Sequence, residues 1–507
     1  MSVRMEDGNG AEENKGVMNR YEFDVKGLKV NVEISRTGDF VPFYRIAFPE
    51  IGEATRVLLL SLRPELLSLV PIDQTRVADQ KYAGELERSY ESAAVPIIEK
   101  YLPGTTPESM KTLTAYLINM LLGLGDIEVL VNDENLEEIA VNNATEPVWI
   151  FHKVHGWCKS NIKLNSEEII YQTSEQIGRR VGREINNLVP MMDAELPDGS
   201  RVNATLFPIS QRGNTITIRK FAKNPWSMPA MIANKTISSE IASIIWLGIQ
   251  NEISMLISGG TASGKTSFLN AMSVFMPANR RIISVEETRE LTLPDFLQWL
   301  PMQTRQANPE GKGEVTLYDL MINALRQRPD IMLIGEIRVK SDAETLFEAI
   351  HTGHAVYGTV HADSAHDTII RMTNPPIGIP KILMSSIGAI TSLFRHRRLG
   401  IRRLFEFGEV TNDGDVSVVK RWNMRSDTFA DGAELSRLSQ TISLYGGYTQ
   451  TEMNEEMQKK QLVLEWMVRN KVFDVDACGN VVAHYYRNED KVVDIAKNNL
   501  PYSKDMF

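Results

Sequence analysis

The first half of the chain carries two hydrophobic patterns in succession. Residues 21–50 alternate apolar and polar positions (YEFDVKGLKVNVEIS, then FYRIAF), which is typical of half-buried strands. From about residue 84 to residue 122 the apolar positions recur at helical spacing, with a break at Pro103–Gly104. Short strand-like runs then follow, at residues 127–132, 138–142, 147–157 and 215–221. These patterns predict a mixed α/β domain.

The second half alternates short apolar runs with helical stretches. A helix is predicted to begin near Lys265, and the strand candidates are residues 254–259, 281–287, 330–336 and 354–362. Strands that alternate with helices predict βαβ units and a parallel sheet. The last hundred residues contain a charged amphipathic stretch near residues 452–470, and we expect them to be mostly helical.

Composition and length suggest how the 507 residues are divided. The polar residues 1–20 are predicted to form a flexible tail, and residues 21–222 an α/β N-terminal domain. The stretch AKNPWSMPAMIANK has two prolines and no clear period, so residues 223–235 are interpreted as an interdomain linker. Residues 236–507 then form a C-terminal α/β domain with a helical extension.

Charge and cysteine content exclude several classes of protein. The net charge of −10 argues against a chain that binds nucleic acid over its whole surface. The two cysteines cannot supply a zinc knuckle or an all-cysteine cluster, and they suit a reducing compartment. No secretory signal or apolar run of about 20 residues is visible, so we expect a cytoplasmic protein.

One motif carries specific chemistry. Residues 259–266 read GGTASGKT and satisfy G-x-x-x-x-G-K-[ST] at every position, between an apolar strand and a helix. Glycines let backbone N–H groups approach phosphates, the lysine reaches the β/γ-phosphates, and the final hydroxyl serves Mg²⁺. The predicted nucleotide-binding residues are therefore Gly259, Gly260, Thr261, Ala262, Ser263, Gly264, Lys265 and Thr266.

Acidic and imidazole side chains follow the predicted strands. Glu336 ends IMLIG, where a P-loop fold places a carboxylate near the metal or the attacking water, and Gly335 occupies the position of the usual preceding aspartate. Glu286 and Glu287 end RIISV. Because side chains alternate along a strand, only one of them is expected to point at the site, and we favour Glu287. A histidine at position 361 can sense a γ-phosphate or orient water, although a histidine after a strand is by itself more often structural.

Arginines flank the Glu336 strand in LRQRPDIMLIGEIR. Arg326, Arg328 and Arg338 are each candidates for stabilising charge on a transferring phosphoryl group, in the same subunit or in a neighbour. Arg219 in TITIRKF is a fourth candidate. Ion pairs at helix ends are the alternative for each of them.

The four segments GGTASGKT, RIISVEETREL, LRQRPDIMLIGEIR and TGHAVYGTVHADS, in this order, resemble a known set of motifs. They are similar to the Walker A, Asp box, Walker B and His box of the type II/type IV secretion ATPase superfamily. Two cysteines cannot supply the four-cysteine insertion usual in type II secretion ATPases. The segment RMTNPPIGIP (371–380) and the run EETREL look like the archaeal branch, most closely the archaellum motor ATPase.

This resemblance implies a fold, cofactors and partners. The fold is a P-loop, RecA-like C-terminal domain behind a mixed α/β N-terminal domain, in a ring-shaped homohexamer that binds ATP and Mg²⁺ between the two domains. The partners are a polytopic membrane platform protein and other filament-machinery proteins, so the ATPase would lie peripherally on the cytoplasmic membrane.

The resemblance also implies roles for single residues. Lys265 and Thr266 hold phosphates and Mg²⁺, and Glu336 is the Walker B acid. Glu287 is the Asp-box acid, near the metal and able to activate water, and His361 is the His-box sensor. The arginines, with Arg326 and Arg328 as catalytic candidates and Arg219 as a nucleotide-binding candidate, map onto phosphate-binding positions.

Two other functions stay open at this point: a DNA-translocating RecA-like ATPase, and a nucleotide-gated scaffold with little turnover. The first depends partly on a basic run whose charges suit nucleic acid or an acidic membrane surface, while internal ion pairs explain the run as well as those two explanations together. That run consists of Arg395, His396, Arg397, Arg398, Arg402 and Arg403.

Overall fold

The contacts of the chain divide it into two compact units, residues 1–223 and residues 224–507. The structure, a computed structural model, describes residues 16–25, 27–48, 51–70, 80–196, 198–221, 224–307, 311–396, 398–503 and 506. Each unit has its own apolar core, so each is treated by itself.

The first unit combines a sheet with helices. Its strands in the described residues are β1 (Val17–Val25), β2 (Leu28–Ser35), β3 (Phe43–Ala47), β4 (Leu136–Val141), β5 (Trp149–His152), β6 (Gly156–Ser160), β7 (Met191–Glu195), β8 (Arg201–Thr205) and β9 (Thr215–Arg219). Its helices there are α1 (Glu53–Ser61), α2 (Arg63–Leu69), α3 (Gln80–Tyr101), α4 (Pro107–Leu122), α5 (Asp126–Asn132) and α6 (Glu167–Arg180).

These strands form one sheet in the order β1-β2-β3-β6-β5-β4-β9-β8-β7. All its neighbours are antiparallel except β3 and β6, which run parallel. The prediction of a flexible tail over residues 1–20 is wrong for its last residues, because β1 begins at Val17 and pairs with β2, with Asn19 opposite Ile34. The rest of that predicted tail lies outside the described residues.

One predicted strand is a helix. Residues 127–132 belong to α5, which begins after Gly125 (φ +64) and has Asp126 and Glu128 in its first turn. The Leu124 N–H donates to the Glu128 carboxylate across this start. Ile127, Val129, Leu130 and Val131 are all buried, and a short run buried on every side has no period that separates helix from strand.

The second unit contains the predicted strand–helix alternation. Its strands in the described residues are β10 (Met255–Gly259), β11 (Arg281–Glu286), β12 (Gln298–Gln303), β13 (Ile331–Ile337), β14 (Ala355–Val360), β15 (Ala389–His396), β16 (Ile401–Val410), β17 (Val416–Asn423) and β18 (Thr428–Asp431). Its helices there are α7 (Met228–Ala233), α8 (Ser239–Gln250), α9 (Lys265–Ser273), α10 (Leu317–Leu325), α11 (Lys340–His351), α12 (Ala365–Thr373), a 3-10 helix (Lys381–Ser386), α13 (Arg437–Gly446), α14 (Gln450–Arg469), α15 (Val475–Arg487) and α16 (Glu489–Lys497).

The sheet of this unit has the order β12-β11-β13-β14-β10-β15-β16-β17-β18. The strands from β12 to β15 run parallel, and β16, β17 and β18 continue the sheet antiparallel. The four strands predicted at residues 254–259, 281–287, 330–336 and 354–362 are confirmed as β10, β11, β13 and β14, and so is their parallel arrangement. All four therefore end at the same edge of the sheet.

Alternate residues of the inner strands face two different cores. In β10, Met255 and Ile257 belong to one apolar cluster and Leu256 to another; in β13, Leu333 and Ile334 divide in the same way. Helices α8, α9 and α14 contribute to the first cluster, and α10, α11 and α12 to the second. Burial on both faces explains why these strands are apolar without alternation.

Two further predictions differ from the structure in detail. The predicted linker, residues 223–235, contains α7, which begins at Met228 because the buried Ser227 hydroxyl caps it and a proline suits its first turn. Met228 and Met231 pack in the core of the second unit. The helical C-terminal region begins only at Arg437, since β16, β17 and β18 extend the sheet to Asp431.

The helices were also compared with the dimensions of a bilayer. No single helix in the described residues is long and apolar enough to cross a membrane. Residues 107–121 and 126–132 meet the length and composition requirements only when taken together, across a bend of 103°.

A buried carboxylate joins three parts of the first unit. Asp133 follows α5, is 0% exposed, and accepts hydrogen bonds from the hydroxyls of Tyr21 on β1 (2.5 Å) and Tyr44 on β3 (2.7 Å). Its other oxygen accepts from the Asn135 N–H at 2.9 Å, which shapes the turn into β4. Burial and the neighbouring Asp133 charge raise the pKa values of both tyrosines, so both hydroxyls stay protonated donors.

We expect Asp133→Ala to destabilise this part of the sheet by about 2–4 kcal/mol, because it leaves the buried Tyr44 hydroxyl and the half-buried Tyr21 hydroxyl without an acceptor. The measurement is hydrogen exchange of the β1, β2 and β3 amides in the full chain. Asp39→Ala, which removes an exposed partner of Lys159, is the matched control and should leave exchange unchanged. Equal protection in the Asp133 variant and the wild type would contradict this role.

Candidate functional site

The phosphate-loop motif connects the central strand to a helix. Gly259 ends β10, and Gly264 caps α9 in the left-handed conformation (φ +100), so the loop turns where a side chain would be strained. A Cβ on Gly259 would lie 2.3 Å from Ser263 Oγ and 2.7 Å from the Leu393 carbonyl oxygen. The two glycines therefore allow a tight loop at the carboxyl edge of the sheet, directly before a helix N-terminus.

Lys265 begins α9 and folds back over its own loop. Its Nζ donates to the Gly259 carbonyl (3.0 Å) and the Gly260 carbonyl (3.4 Å), and it lies 3.4 Å from His361 Nδ1. The side chain is buried, and the neighbouring Thr266 is half-buried in the first turn of α9. The lysine is thus held at the place where a phosphate would meet the loop.

Two strands bring the predicted acids to this edge. Glu336 lies near the end of β13 and Glu287 directly follows β11. The guanidinium of Arg338 bridges them: Nη2 lies 2.6 Å and Nε 3.0 Å from Glu336 Oε2, and Nη1 lies 2.6 Å from Glu287 Oε2. One arginine therefore holds both carboxylates.

His361 follows β14 and completes the group. Its Nε2 lies 3.0 Å from Glu336 Oε1, yet that oxygen is buried without a hydrogen bond of good geometry in the described residues, so the contact is one of proximity. Burial, and then the Lys265 ammonium, lower the pKa of His361 below its usual range, although Glu336 acts the other way. The imidazole is therefore neutral at pH 7.

Glu286 is separated from this group by the alternation of β11. It is 2% exposed, and its Oε1 accepts from the N–H groups of Glu290 (2.9 Å) and Leu291 (3.1 Å), so it shapes the loop after Glu287. A Cβ on Gly335 would lie 3.3 Å from Glu286 Cα and 3.4 Å from its Cγ. An aspartate at position 335 would crowd this buried carboxyl, which explains the glycine there.

Two predicted arginines lie at the other edge of the sheet. Arg326 ends α10 and Arg328 lies in the loop before β13, beside Asp330, whose carboxylate accepts from the N–H of Arg281 at the start of β11. Because β13 spans about 20 Å, neither arginine lies near the phosphate loop of its own chain. Arg219 ends β9 in the first unit, opposite Glu138 and Arg201 in the sheet register.

Two residues near the loop do not belong to the predicted site. Arg402 Nε, on β16, donates to the Ala262 carbonyl in the phosphate loop (3.1 Å). Asp363 Oδ1 lies 3.0 Å from where a Cβ on Gly260 would be. Asp363 follows a strand of the parallel sheet, and this position in the sequence could have predicted it. Arg402 reaches the loop only because β15 pairs with β10 on one side and with β16 on the other.

The basic run is partly internal. Arg403 is 6% exposed; its Nε donates to Asp427 (2.8 Å) and its Nη1 to the Asn234 carbonyl (3.1 Å). Arg395 and Arg402 face each other across β15 and β16. Arg397, which belongs to the predicted run, lies outside the described residues. At least two of these arginines therefore serve the fold and the phosphate loop.

Comparison with protein families gives the site a context. A family model described as type II/IV secretion system protein matches residues 121–410, more than half of the chain. The chain belongs to the type II/IV secretion ATPase superfamily. The predicted superfamily is thereby confirmed.

The similarity to related proteins covers different shares of this chain and of theirs. An uncharacterized protein of Methanocaldococcus jannaschii is 36% identical over 353 residues, which cover 67% of this chain and 46% of that protein. A second one from the same organism is 33% identical, covering 75% and 71%. A putative conjugal transfer protein of Mycobacterium tuberculosis is 29% identical, covering 63% and 93%. The chain thus spans less than half of the first relative's length.

Solved structures are similar at low identity. The ATPase DotB of Legionella pneumophila has 18% identity and a TM-score of 0.40, covering 66% of this chain and 86% of that one. The pilus retraction motor PilT with bound ADP has 16% identity and a TM-score of 0.42, covering 66% and 91%.

The buried Glu286 predicts a pH dependence of stability. Burial raises its pKa to about 7, despite the two backbone donors, so the neutral acid is the form that the fold prefers. Its contribution to stability is complete below the ordinary glutamate pKa and is lost as the pH rises through about 7. Between pH 5 and pH 8 the wild type should lose about 2–3 kcal/mol of unfolding free energy relative to Glu286→Gln.

The measurement is urea unfolding of both proteins at each pH, and the quantity of interest is the difference between them. Glutamine keeps an oxygen that can accept from the Glu290 and Leu291 N–H groups, so the comparison isolates the ionisation. Parallel pH profiles for the two proteins would contradict the prediction.

Proposed function

We propose that this chain hydrolyses ATP with Mg²⁺ and uses the cycle to assemble or rotate a filament of the archaellum or type IV pilus kind. The observation that carries the hydrolytic part is the convergence of Lys265, Glu336, Glu287 and His361, from four separate strands or loops, at one edge of the parallel sheet. Such an edge, outside the carboxyl ends of the strands, is where α/β folds bind ligands. Family membership supports the filament or secretion setting.

The residues present fit a nucleotide with its metal. Gly259 and Gly264 leave room for backbone N–H groups to approach phosphates, and Ser263 Oγ and Glu336 Oε1 are buried polar atoms without hydrogen bonds in the described residues. Lys265 and the loop would hold the phosphates, with Thr266 and Glu287 on the metal side, and Arg219 remains a proposed nucleotide contact. When bound, the metal neutralises charge on the phosphates and the leaving group.

The side chains divide the remaining work. Lys265 gives up its bonds to the Gly259 and Gly260 carbonyls when a phosphate offers a charged acceptor. Glu336 and Glu287 are carboxylates that can take a proton from an attacking water, and the neutral His361 can orient that water or sense the γ-phosphate. Glu336 is the better shielded of the two acids, 16% exposed against 45% for Glu287.

In this proposal the free energy of nucleotide binding drives the movement of the two domains. A nucleotide that favours one arrangement of the two domains closes them, and hydrolysis with product release reopens them. We propose a ring hexamer with a RecA-like second domain, located peripherally on the cytoplasmic membrane, in contact with a polytopic platform protein and other filament-machinery proteins. The closeness to archaellum ATPases rests on RMTNPPIGIP and the EETREL run and belongs to the same proposal.

Lys265→Ala should lower the Mg-ATPase rate about 100-fold or more, because the phosphates lose their main cationic contact. The rate is measured against protein concentration for the variant, the wild type and Lys381→Ala. Lys381 pairs with Asp415 and lies before β15, at the opposite edge of the sheet, so it is a matched control that should keep full activity.

Hydrolysis that survives Lys265→Ala would contradict the site. Turnover stimulated by DNA in a salt-dependent way would favour the DNA-translocating alternative. ATP binding with negligible turnover would favour the nucleotide-gated scaffold.

The arginines at the far edge predict complementation between chains. We expect the double variant Arg326→Ala, Arg328→Ala to be inactive, since these residues would act on the phosphates of a neighbouring subunit. Mixing it with Lys265→Ala should restore part of the activity, because some sites then combine an intact phosphate loop with intact arginines. The measurement is the ATPase rate of each variant alone and of mixtures at several ratios.

A mixture that stays inactive, although the arginine variant still binds nucleotide and exchanges subunits, would contradict action between subunits. An active arginine double variant would show that neither residue is needed.

A further inference from the structure

We propose that Arg338 keeps divalent cations off the carboxylates of Glu287 and Glu336 until a nucleotide arrives. This inference rests on the proposed function, since it concerns the metal that the nucleotide would bring. Its basis is the bridge that one guanidinium makes between the two acids.

The bridge occupies the oxygens that a metal would need. Glu336 Oε2 accepts from both Nε and Nη2 of Arg338, and Glu287 Oε2 accepts from Nη1. The remaining Glu336 oxygen, Oε1, is directed at His361. A cation that binds the two carboxylates together must therefore displace the guanidinium from at least one of them.

The charges of the group balance without a metal. Two carboxylates, Glu287 and Glu336, stand beside two cations, Arg338 and Lys265. Lys265 is occupied with the carbonyls of its own loop, so Arg338 is the cation that neutralises the acids. Removing it would leave two like charges side by side, the arrangement that favours capture of a divalent cation.

The arginine can leave without rearranging the fold. Its side chain is 53% exposed, whereas the next residue, Val339, is fixed as the N-cap of α11, with its N–H directed at the buried Asp342 carboxylate (3.4 Å). A change of side-chain rotamer is enough to free both acids. A nucleotide supplies an alternative anionic partner for the guanidinium, and its phosphates add ligands for the metal, so the two would load together.

The test uses Mn²⁺ as the probe and the nucleotide-free full-length protein. Binding is followed by the loss of the free-Mn²⁺ electron paramagnetic resonance signal, for the wild type, Arg338→Gln and Arg280→Gln. Arg280 pairs with Glu252 at 2.5 Å with comparable exposure, so it is a matched arginine–carboxylate control. We expect Arg338→Gln to bind Mn²⁺ about ten-fold more tightly than the wild type, and Arg280→Gln to be unchanged.

Equal Mn²⁺ affinity in Arg338→Gln and the wild type would overturn the inference, and so would an equal gain in Arg280→Gln. The added change Glu287→Gln should abolish the gain, because it removes one of the two ligands. If Arg338→Gln does not fold, as judged by circular dichroism, Arg338→Ala takes its place with the same expectation.

Failure of this inference is distinguishable from failure of the proposed function. Hydrolysis is measured on the same preparations. If the variant binds Mn²⁺ more tightly but the wild type does not hydrolyse ATP, the result would support the exclusion of cations by Arg338 and count against the proposed function. If the wild type hydrolyses ATP but the variant binds Mn²⁺ no more tightly than the wild type, only the exclusion of cations by Arg338 would be overturned.

Discussion

The position of β10 in the second unit constrains everything around the site. It is hydrogen-bonded to β14 on one edge and to β15 on the other, and its five residues are buried on both faces. A strand held on four sides delivers Gly259 to one fixed place, and Gly264 then sets the direction of α9. The side chains that meet Lys265 come from loops whose strands share this edge. The geometry of the candidate site therefore depends on a packing constraint before it depends on any polar contact.

The charges of the side chains beside the phosphate loop then determine how these side chains pair with one another. A lysine, an arginine and two glutamates lie together with a histidine whose pKa is lowered, so these two cations are matched by two carboxylates. Nearly neutral clusters of this kind avoid the cost of burying unpaired charge, and Glu336 in particular is only 16% exposed. A polyanion that binds here would compete for Lys265 and Arg338, so their present contacts must be given up for contacts with the polyanion. The site thus uses interactions that are stable alone yet replaceable.

Sequence patterns predicted the parallel strands and the phosphate loop because burial on both faces and the glycine positions are both local signals. They failed where the decisive contact is distant or the signal is short. The fully buried α5 has no usable period, and α7 lies in a segment whose two prolines suggested a linker. Arg402 stood in a basic run with several competing explanations, and only the pairing of β16 with β15 brings it to Ala262. Alternation implied that Glu286 and Glu287 face different sides of the strand, and their different hydrogen-bond partners agree with that reasoning.

The arginines lie at two opposite edges of the sheet and therefore have different possible roles. Arg338 lies at the carboxyl end of β13, in contact with the acids, while Arg326 and Arg328 lie before its start, about 20 Å away along the strand. A rigid parallel strand cannot bring both ends to one phosphate. If the far arginines contact a nucleotide, that nucleotide belongs to another chain. The same sheet that assembles a site at one edge would then present arginines to a neighbour's site at the other, which is the geometry that a head-to-tail ring requires.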